Sequence, residues 1–117
     1  IITYGLGVHW ATALCEAHPE WDLEIIDLRT LSPWDEDTVI ESVKRTNRAL
    51  VLHEDALTGG IGGEIASVIH DRCWESLDAP VARLGSLDTP VPFAADLERA
   101  YLANDRLADA VKTLLDR

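Results

Sequence analysis

The sequence lacks any apolar run close to the roughly 20 residues that cross a bilayer, which excludes a membrane-spanning helix. Basic residues are also few, with 10 lysines and arginines against 21 aspartates and glutamates and a formal net charge of −11. Such an acidic surface repels phosphate backbones, so nucleic acid is excluded as a natural partner and a basic protein is the electrostatic complement. A solvated acidic surface without a specific partner is the simpler alternative.

Cysteine is scarce as well, with Cys15 and Cys73 the two thiols in 117 residues. Each lies beside apolar residues at helical spacing, so both are predicted to be core thiols and neither a disulfide nor a redox pair. No Cys-x-x-Cys motif and no cysteine–histidine cluster has zinc spacing. Unpaired thiols suit a reducing compartment, and a cytoplasmic location is expected.

Strand-like and helix-like patterns alternate along the chain. Strands are predicted at residues 1–4, 23–28, 49–52 and 80–84, and helices at 8–18, 32–47, 61–77 and from Asn104 onward. Residues 85–95 are predicted as a loop and 100–103 as irregular. The alternation predicts one α/β domain over residues 1–117, in which a parallel sheet carries helices on both faces and the βα loops share one edge.

Residues 49–64 are the most unusual stretch, since an apolar run is followed by polar residues and then by four glycines. The glycine loops at residues 5–10 and 60–65 fail the dinucleotide fingerprint at its third glycine, and no Walker lysine follows. The acids Glu54, Asp55 and Glu64 flank the second loop and would repel a phosphate. Nucleotide binding is therefore disfavoured.

The polar residues of this stretch allow two interpretations. His53, Glu54 and Asp55 are a possible general-base pair, magnesium site or phosphoacceptor pocket, although no acid follows the first strand. Alternatively, they hydrogen-bond the glycine-loop amides and cap the next helix, and the second interpretation is favoured. Alanine at Gly60 or Gly62 is expected to harm folding if those positions have positive φ. The predicted structural loop comprises His53, Glu54, Asp55, Gly59, Gly60, Gly62, Gly63 and Glu64.

Aromatic and proline residues near the same edge indicate a contact surface. Trp10 and Trp34 fall at predicted helix starts, where Ser32 is expected to cap the second helix and Pro33 to open it. Large aromatics at such positions are typical of protein contacts, and packing within the domain is the equal alternative. The predicted subunit interface comprises His9, Trp10, Trp34, Asp88, Pro90 and Phe93.

Six short motifs occur together in a fixed order. They are YGLGVH (4–9), DLRTLSPWD (27–35), HE with TGG (53–60), GEI (63–65), APV (79–81) and DTPVP (88–92). This combination resembles the C-terminal domain of the beta subunit of thiamine-diphosphate-dependent 2-oxoacid dehydrogenases, most of all the branched-chain (2-oxoisovalerate) type. The resemblance covers nearly the whole chain, and the second motif is its most specific part.

The resemblance implies a three-layer α/β/α fold of the transketolase C-terminal type, with a mostly parallel sheet of about five strands and one antiparallel edge strand. The parent enzyme is an oxidoreductase that decarboxylates 2-oxoacids and transfers the acyl group to lipoyl groups. Its thiamine diphosphate and magnesium lie between the alpha subunit and an N-terminal pyrimidine-binding domain, which is expected to be absent from residues 1–117. No catalytic, cofactor-binding or metal-binding residue is therefore expected here, and the isolated domain is expected to be inactive.

The implied partners are the alpha subunit, a second beta subunit and the basic subunit-binding domain of the acyltransferase. Asp71 and Glu75, on the outward side of the third predicted helix, are the candidate docking acids. A pyruvate dehydrogenase beta subunit, a free-standing small-molecule or phosphoacceptor module, and a plain dimerisation module are the alternatives.

Overall fold

A computed structural model describes all residues from 1 to 117 as a parallel sheet with helices on both faces. The strands are β1 (Ile2–Thr3), β2 (Ile26–Asp27), β3 (Leu50–Ala56) and β4 (Ala82–Ser86). The helices are α1 (Leu6–Ala17), α2 (Glu36–Thr46), α3 (Gly62–Cys73), α4 (Ala95–Tyr101) and α5 (Asn104–Leu115), with short 3-10 turns at Pro19–Trp21 and Trp74–Ser76. None of the helices has the length and apolar composition that a membrane crossing requires.

The four strands lie in the order β2-β1-β3-β4, and every neighbouring pair is parallel. The predicted α/β class is confirmed, whereas five strands and an antiparallel edge strand are not. The segment after β4 forms α4 and α5, and β4 is an edge of the sheet. Pro90 and Pro92 in that segment lack the amide hydrogen that a ladder needs, which disfavours a further strand there.

Two apolar cores lie on opposite faces of the sheet, because successive side chains of β3 alternate in direction. Val51 packs with Val39, Ile40 and Ile69 beneath α2 and α3. Leu50 and Leu52 pack on the other face, where the residues from α1 and α5 are Ala11, Leu14, Leu107, Val111 and Leu114. The chain therefore forms three layers.

The two thiols occupy different environments. Cys73 belongs to the core beneath α2 and α3, as predicted, and Cys15 is half-buried on α1. Both are unpaired. Burial raises the pKa of each thiol above its ordinary value.

Helix starts differ from the predicted positions. Asp35 caps α2 by accepting from the Thr38 amide at 3.1 Å and from the Thr38 hydroxyl at 2.7 Å, so the prediction that Ser32 is the cap is wrong. A carboxylate is as good a cap as a hydroxyl, and here it lies one residue before the first helical turn. Asn104 is the first residue of α5, and Ala103 precedes it as the cap position.

Candidate functional site

The carboxyl edge of the sheet collects the loops that follow β1, β3 and β4. Strand β3 extends to Ala56, beyond its predicted end at residue 52, so His53, Glu54 and Asp55 belong to the strand. His53 is completely buried, whereas Glu54 and Asp55 are exposed where the pairing of β3 with β4 becomes irregular between Leu52 and Ala56. The three polar residues are therefore adjacent in sequence but separate in role.

His53 is held by one hydrogen bond and one ring contact. Its Nδ1 lies 3.0 Å from the carbonyl oxygen of Asp55, which can only accept, so Nδ1 donates and Nε2 carries the lone pair. Nε2 is buried and has no hydrogen-bond partner. The Tyr4 ring stacks on the imidazole with centroids 6.4 Å apart. The Asp55 carbonyl oxygen, in the same strand, thus makes Nδ1 the donor, and Tyr4, just after β1, flanks the ring.

Three glycines surround the imidazole, and we call them the glycine cradle: Gly60, Gly62 and Gly85. An added Cβ at Gly60 would lie 2.6 Å from His53 Cε1, and one at Gly62 would lie 2.5 Å from Nε2. At Gly85 it would lie 2.8 Å from the Asp55 carbonyl oxygen. These glycines are required because the histidine, together with the Ala56 and Asp55 carbonyl oxygens, occupies the space that a side chain would need.

The backbone angles show that the expected requirement for positive φ at Gly60 and Gly62 is wrong. Positive φ occurs at Gly59 (80°) and Gly5 (56°), and neither Gly60 nor Gly62 has it. Close approach of His53, joined at Gly60 by the Ala56 carbonyl oxygen at 2.6 Å, and not unusual φ, explains why Gly60 and Gly62 cannot be larger. Gly85 lay outside the predicted structural loop, because residues distant in sequence by about 30 positions meet here only through the pairing of β3 and β4.

The carboxylates do not make the contacts that were predicted for them. Asp55 Oδ1 accepts from the adjacent amide of Ala56 at 2.8 Å, and Ile61 at the start of α3 has no side-chain cap. Glu64 lies in the first turn of α3, where it suits the helix dipole without bonding a loop amide. The prediction that His53, Glu54 and Asp55 bond the glycine-loop amides and cap α3 is therefore wrong, whereas Glu64 lies in the first helical turn as predicted. No group of three histidine, cysteine or acidic side chains is arranged to hold a metal ion.

The charges of Asp55 and Glu54 act on Tyr4 instead. Burial first, and then these two carboxylates, raises the pKa of the Tyr4 phenol above its ordinary value. Tyr4 therefore stays neutral under ordinary conditions and cannot serve as a base. Glu54 and Asp55 thus contribute negative potential to this edge of the sheet. His53 at the same edge is completely buried and has no access to solvent.

A pair of residues, Thr58 and Asp88, joins the β3–α3 loop to the β4–α4 loop. Thr58 donates its amide hydrogen to Asp88 Oδ1 at 2.8 Å and its hydroxyl hydrogen to Oδ2 at 2.6 Å. The Thr58 hydroxyl, followed by its amide, lowers the pKa of the Asp88 carboxyl. Asp88, predicted as an interface residue, thus also fixes the loop that leads to Phe93.

An exposed apolar surface lies around the same edge, and we call it the apolar edge surface: Leu6, Leu87, Val91, Phe93 and Leu97. Phe93 is fully exposed, and Val91 and Leu97 are each exposed by about 60%. Pro90 is exposed within the same loop. Large apolar side chains grouped in this way are typical of a protein contact.

The remaining predicted interface residues are less exposed than Phe93. Trp34 is half-buried against the core beneath α2 and α3, and Trp10 against the core beneath α1 and α5. Packing within the domain therefore buries part of the side-chain surface of both tryptophans. His9 is exposed on the first turns of α1.

The candidate docking acids lie elsewhere. Asp71 and Glu75 are exposed at the end of α3, at the amino edge of the sheet, so the fold does not bring them to the apolar edge surface. Trp74, between them, is 71% exposed and was missed by the sequence analysis. Its position outside the apolar stripe of α3 and close to two acids in the sequence could have predicted this exposure. Leu87, Val91 and Leu97 were also missed, because single apolar residues in a loop, or on the short helix α4, carry no periodic pattern.

Comparisons with known proteins agree with this architecture. The family described as "Transketolase, C-terminal domain" matches residues 1–106. A split gene transketolase, solved as an inactive beta4 tetramer, superimposes with a TM-score of 0.72 at 21% identity, covering 98% of this chain and 37% of that one. At this identity the superposition shows the fold alone.

Curated relatives are beta subunits of two kinds. The pyruvate dehydrogenase E1 component subunit beta of Rickettsia felis is 44% identical over 96% of this chain and 35% of its own length. The 3-methyl-2-oxobutanoate dehydrogenase subunit beta of Mycobacterium tuberculosis is 40% identical over 98% of this chain and 34% of its length. The 2-oxoisovalerate dehydrogenase subunit beta of Bacillus subtilis is 35% identical over 99% and 37%.

The chain spans about a third of the length of these curated relatives. Its similarity to 2-oxoacid dehydrogenase beta subunits, predicted from the six motifs, is confirmed. The family match, which covers most of the sequence, agrees with the parallel sheet and its flanking helices. The chain belongs to the transketolase C-terminal domain family.

Proposed function

We propose that this chain is the assembly domain of the beta subunit of a 2-oxoacid dehydrogenase, and that its partners are an alpha subunit and a second beta subunit. The apolar edge surface is the observation that carries the proposal. A domain whose relatives are enzyme subunits, and which exposes Phe93, Val91 and Leu97 within seven residues of chain, has a surface suited to burial against another chain.

The proposed parent reaction is the oxidative decarboxylation of a 2-oxoacid with transfer of the acyl group to a lipoyl group. Thiamine diphosphate, with magnesium, supplies the decarboxylation chemistry when bound to other parts of such an enzyme. The residues of this chain do not fit a diphosphate, because His53 fills the glycine cradle and the exposed Glu54 and Asp55 would repel the phosphates. We therefore assign no catalytic role to any residue of this chain.

We assign the branched-chain type of substrate on the similarity to 2-oxoisovalerate dehydrogenase subunits, with pyruvate as the alternative that the Rickettsia relative supports. An assay of the assembled enzyme with 3-methyl-2-oxobutanoate and with pyruvate decides between them. We place the enzyme in the cytoplasm, where two unpaired thiols remain reduced.

Substitution of the apolar edge surface tests the assembly role. Phe93→Asp and Val91→Asp should abolish co-elution of the beta subunit with its alpha partner in gel filtration, because a carboxylate would be buried without a cation. The unfolding free energy of the domain itself should change by less than about 0.5 kcal/mol, since both side chains are exposed in the isolated fold.

Thr113→Asp is the matched control, because Thr113 is exposed on α5 away from the apolar edge surface. It should leave assembly intact. Full assembly of both the Phe93 and the Val91 variants, with unchanged stability, would rule out the apolar edge surface as the subunit interface.

A third proposed partner is the basic subunit-binding domain of the acyltransferase, with Asp71 and Glu75 as its contact residues. The formal net charge of −11 and the exposure of both carboxylates at the amino edge support this assignment. Because this surface lies at the opposite edge from the apolar edge surface, docking need not compete with subunit assembly.

A further inference from the structure

Trp74 is the most exposed residue among the tryptophans and lies where α3 passes into a short 3-10 turn. Trp74 is 71% exposed, so the chain lacks the stabilisation that burial of this side chain would give, which is roughly 2 kcal/mol or more. Its neighbours Asp71 and Glu75 are exposed too. Nothing within the chain covers this aromatic face.

Of the cations near Trp74, Arg72 is engaged with other acids, whereas Lys44 of α2, whose charge acts on the adjacent Cys73 thiol, is exposed and forms no ion pair. Arg72 binds Glu36 at 3.0 Å and Asp37 at 3.2 Å, so its guanidinium is directed toward α2. Arg48 lies 3.5 Å from Asp78. Asp71 and Glu75 have no cation within ion-pair distance, and Trp74 lies at the negative end of the α3 dipole. Asp71 and Glu75 therefore carry charges that no ion pair within the chain neutralises.

We infer that Trp74 is the platform on which an arginine of a basic partner protein stacks, with Asp71 and Glu75 binding its neighbouring cations. The inference rests on the docking partner proposed above and adds to it the residue that selects the partner's side chain. A guanidinium stacks flat on an indole and also bonds carboxylates in its own plane, whereas an ammonium is a compact and strongly hydrated charge. The surface should therefore prefer arginine to lysine.

Other occupants fit these groups less well. A nucleic acid is repelled by Asp71 and Glu75, and by the net charge of the whole chain. A second copy of the chain would bring the same two carboxylates against their equivalents near a two-fold axis, where like charges repel. An arginine-bearing segment satisfies both the π face and the acids at once.

The test measures the binding of labelled peptides to the 117-residue chain by fluorescence anisotropy. The probes are an arginine-rich peptide, its all-lysine counterpart and an acidic counterpart. Trp74→Ala should weaken binding of the arginine peptide about tenfold, the loss of one cation–π contact, and Trp74→Phe should weaken it less. The lysine peptide should bind more weakly and should depend less on Trp74.

Charge variants separate the aromatic contribution from the electrostatic one. Asp71→Asn and Glu75→Gln should lower both the affinity and its dependence on salt, whereas Asp109→Asn, on α5 across the sheet, is the matched control and should change neither. Circular dichroism of each variant checks that the fold is retained, which the exposure of these side chains predicts.

Each outcome has a distinct meaning. Equal binding of the arginine and lysine peptides, or an unchanged affinity of Trp74→Ala, overturns the platform while leaving the acidic docking surface in place. No binding of any basic peptide overturns both the platform and the proposed docking partner. Self-association that is lost in Trp74→Ala would identify a second copy as the occupant and would also overturn the inference.

Discussion

His53 shows how one side chain can determine the residue type at several distant positions. Its ring occupies the volume beside Gly60, Gly62 and Gly85, so that each of these positions must lack a Cβ. The Asp55 carbonyl oxygen accepts its proton at 3.0 Å and fixes the ring. A loop that resembles a phosphate-binding loop in sequence is therefore built around a buried imidazole.

We predict that Gly62→Ala destabilises the fold by about 1–3 kcal/mol, because the new methyl group would lie 2.5 Å from His53 Nε2. Gly63→Ala is the matched neighbour. Its methyl group meets only the end of the flexible Arg83 side chain at 3.3 Å, and alanine favours a helix, so stability should be unchanged or slightly higher. Urea unfolding measures both, and equal stability of the two variants would contradict the role of His53.

The Thr58–Asp88 pair predicts a dependence of stability on pH. Its hydrogen bonds lower the pKa of Asp88 in the folded chain below the unfolded value of 3.8, so the folded state binds fewer protons. The contribution is complete above pH 3.8 and is lost as the pH falls through the folded pKa. Asp88→Ala should therefore be less stable than the wild type at pH 6, and the difference should shrink below pH 3.8.

Unfolding free energies measured in urea across this range check the prediction, and Thr58→Val provides the second variant. Thr58→Val removes the hydroxyl donor and keeps the amide donor, so it should abolish the part of the Asp88→Ala effect that the hydroxyl hydrogen bond contributes. A difference between wild type and Asp88→Ala that stays constant with pH would show that the carboxylate acts through some other contact.

At the scale of elements, substitutions at the start of α2 test whether Asp35 or Ser32 caps the helix. Asp35→Ala should destabilise the fold by about 1 kcal/mol, because it removes the acceptor of the Thr38 amide. Ser32→Ala should have no measurable effect. Thermal unfolding of both variants checks this, and Asp35→Ser should recover most of the loss. If Ser32→Ala were destabilising instead, Ser32 would be the capping residue, as the sequence pattern predicted.

The elements that could be predicted from sequence are those with a strong period. The strand run ahead of His53 and the stripes of α3 and α5 are long enough for apolar spacing to decide their type. The short helix α4 was missed because Tyr101 is its one buried residue, so it has no apolar stripe to recognise. The end of β3 was missed because its polar residues were taken as a loop, although a buried histidine can continue a strand.

The candidate site was predictable in part. The clustering of loops at one edge follows from parallel strands, and the contact of Asp88 with Thr58 agrees with it. The glycine cradle could not be predicted, since Gly85 meets His53 only through the register of β3 and β4. The exposure of Trp74 could not be predicted either, because it depends on where α3 ends against its neighbours.

At the scale of the whole molecule, the excess of acids is a source of instability that salt should relieve. With a net charge of −11, mutual repulsion among exposed carboxylates opposes folding, and the Debye length falls from roughly 30 Å at 0.01 M to about 10 Å at 0.1 M salt. The melting temperature at pH 7 should therefore rise when sodium chloride is added.

Calorimetric scans at low and moderate sodium chloride measure this effect. The same comparison near pH 4.5, the sequence isoelectric point, is the control, because the net charge there is close to zero and the rise should largely vanish. A melting temperature that falls with salt at pH 7 would mean that the ion pairs, such as those of Arg72, outweigh the repulsion.

The 12 residues of α3 begin in the glycine cradle at the carboxyl edge and end beside Trp74 at the amino edge. At 1.5 Å per residue the helix keeps these two ends about 18 Å apart. It thus acts as a rigid spacer. A partner seated on the apolar edge surface and another seated on Trp74 would not touch each other, so their binding free energies should add, and one small domain could serve as a two-ended connector.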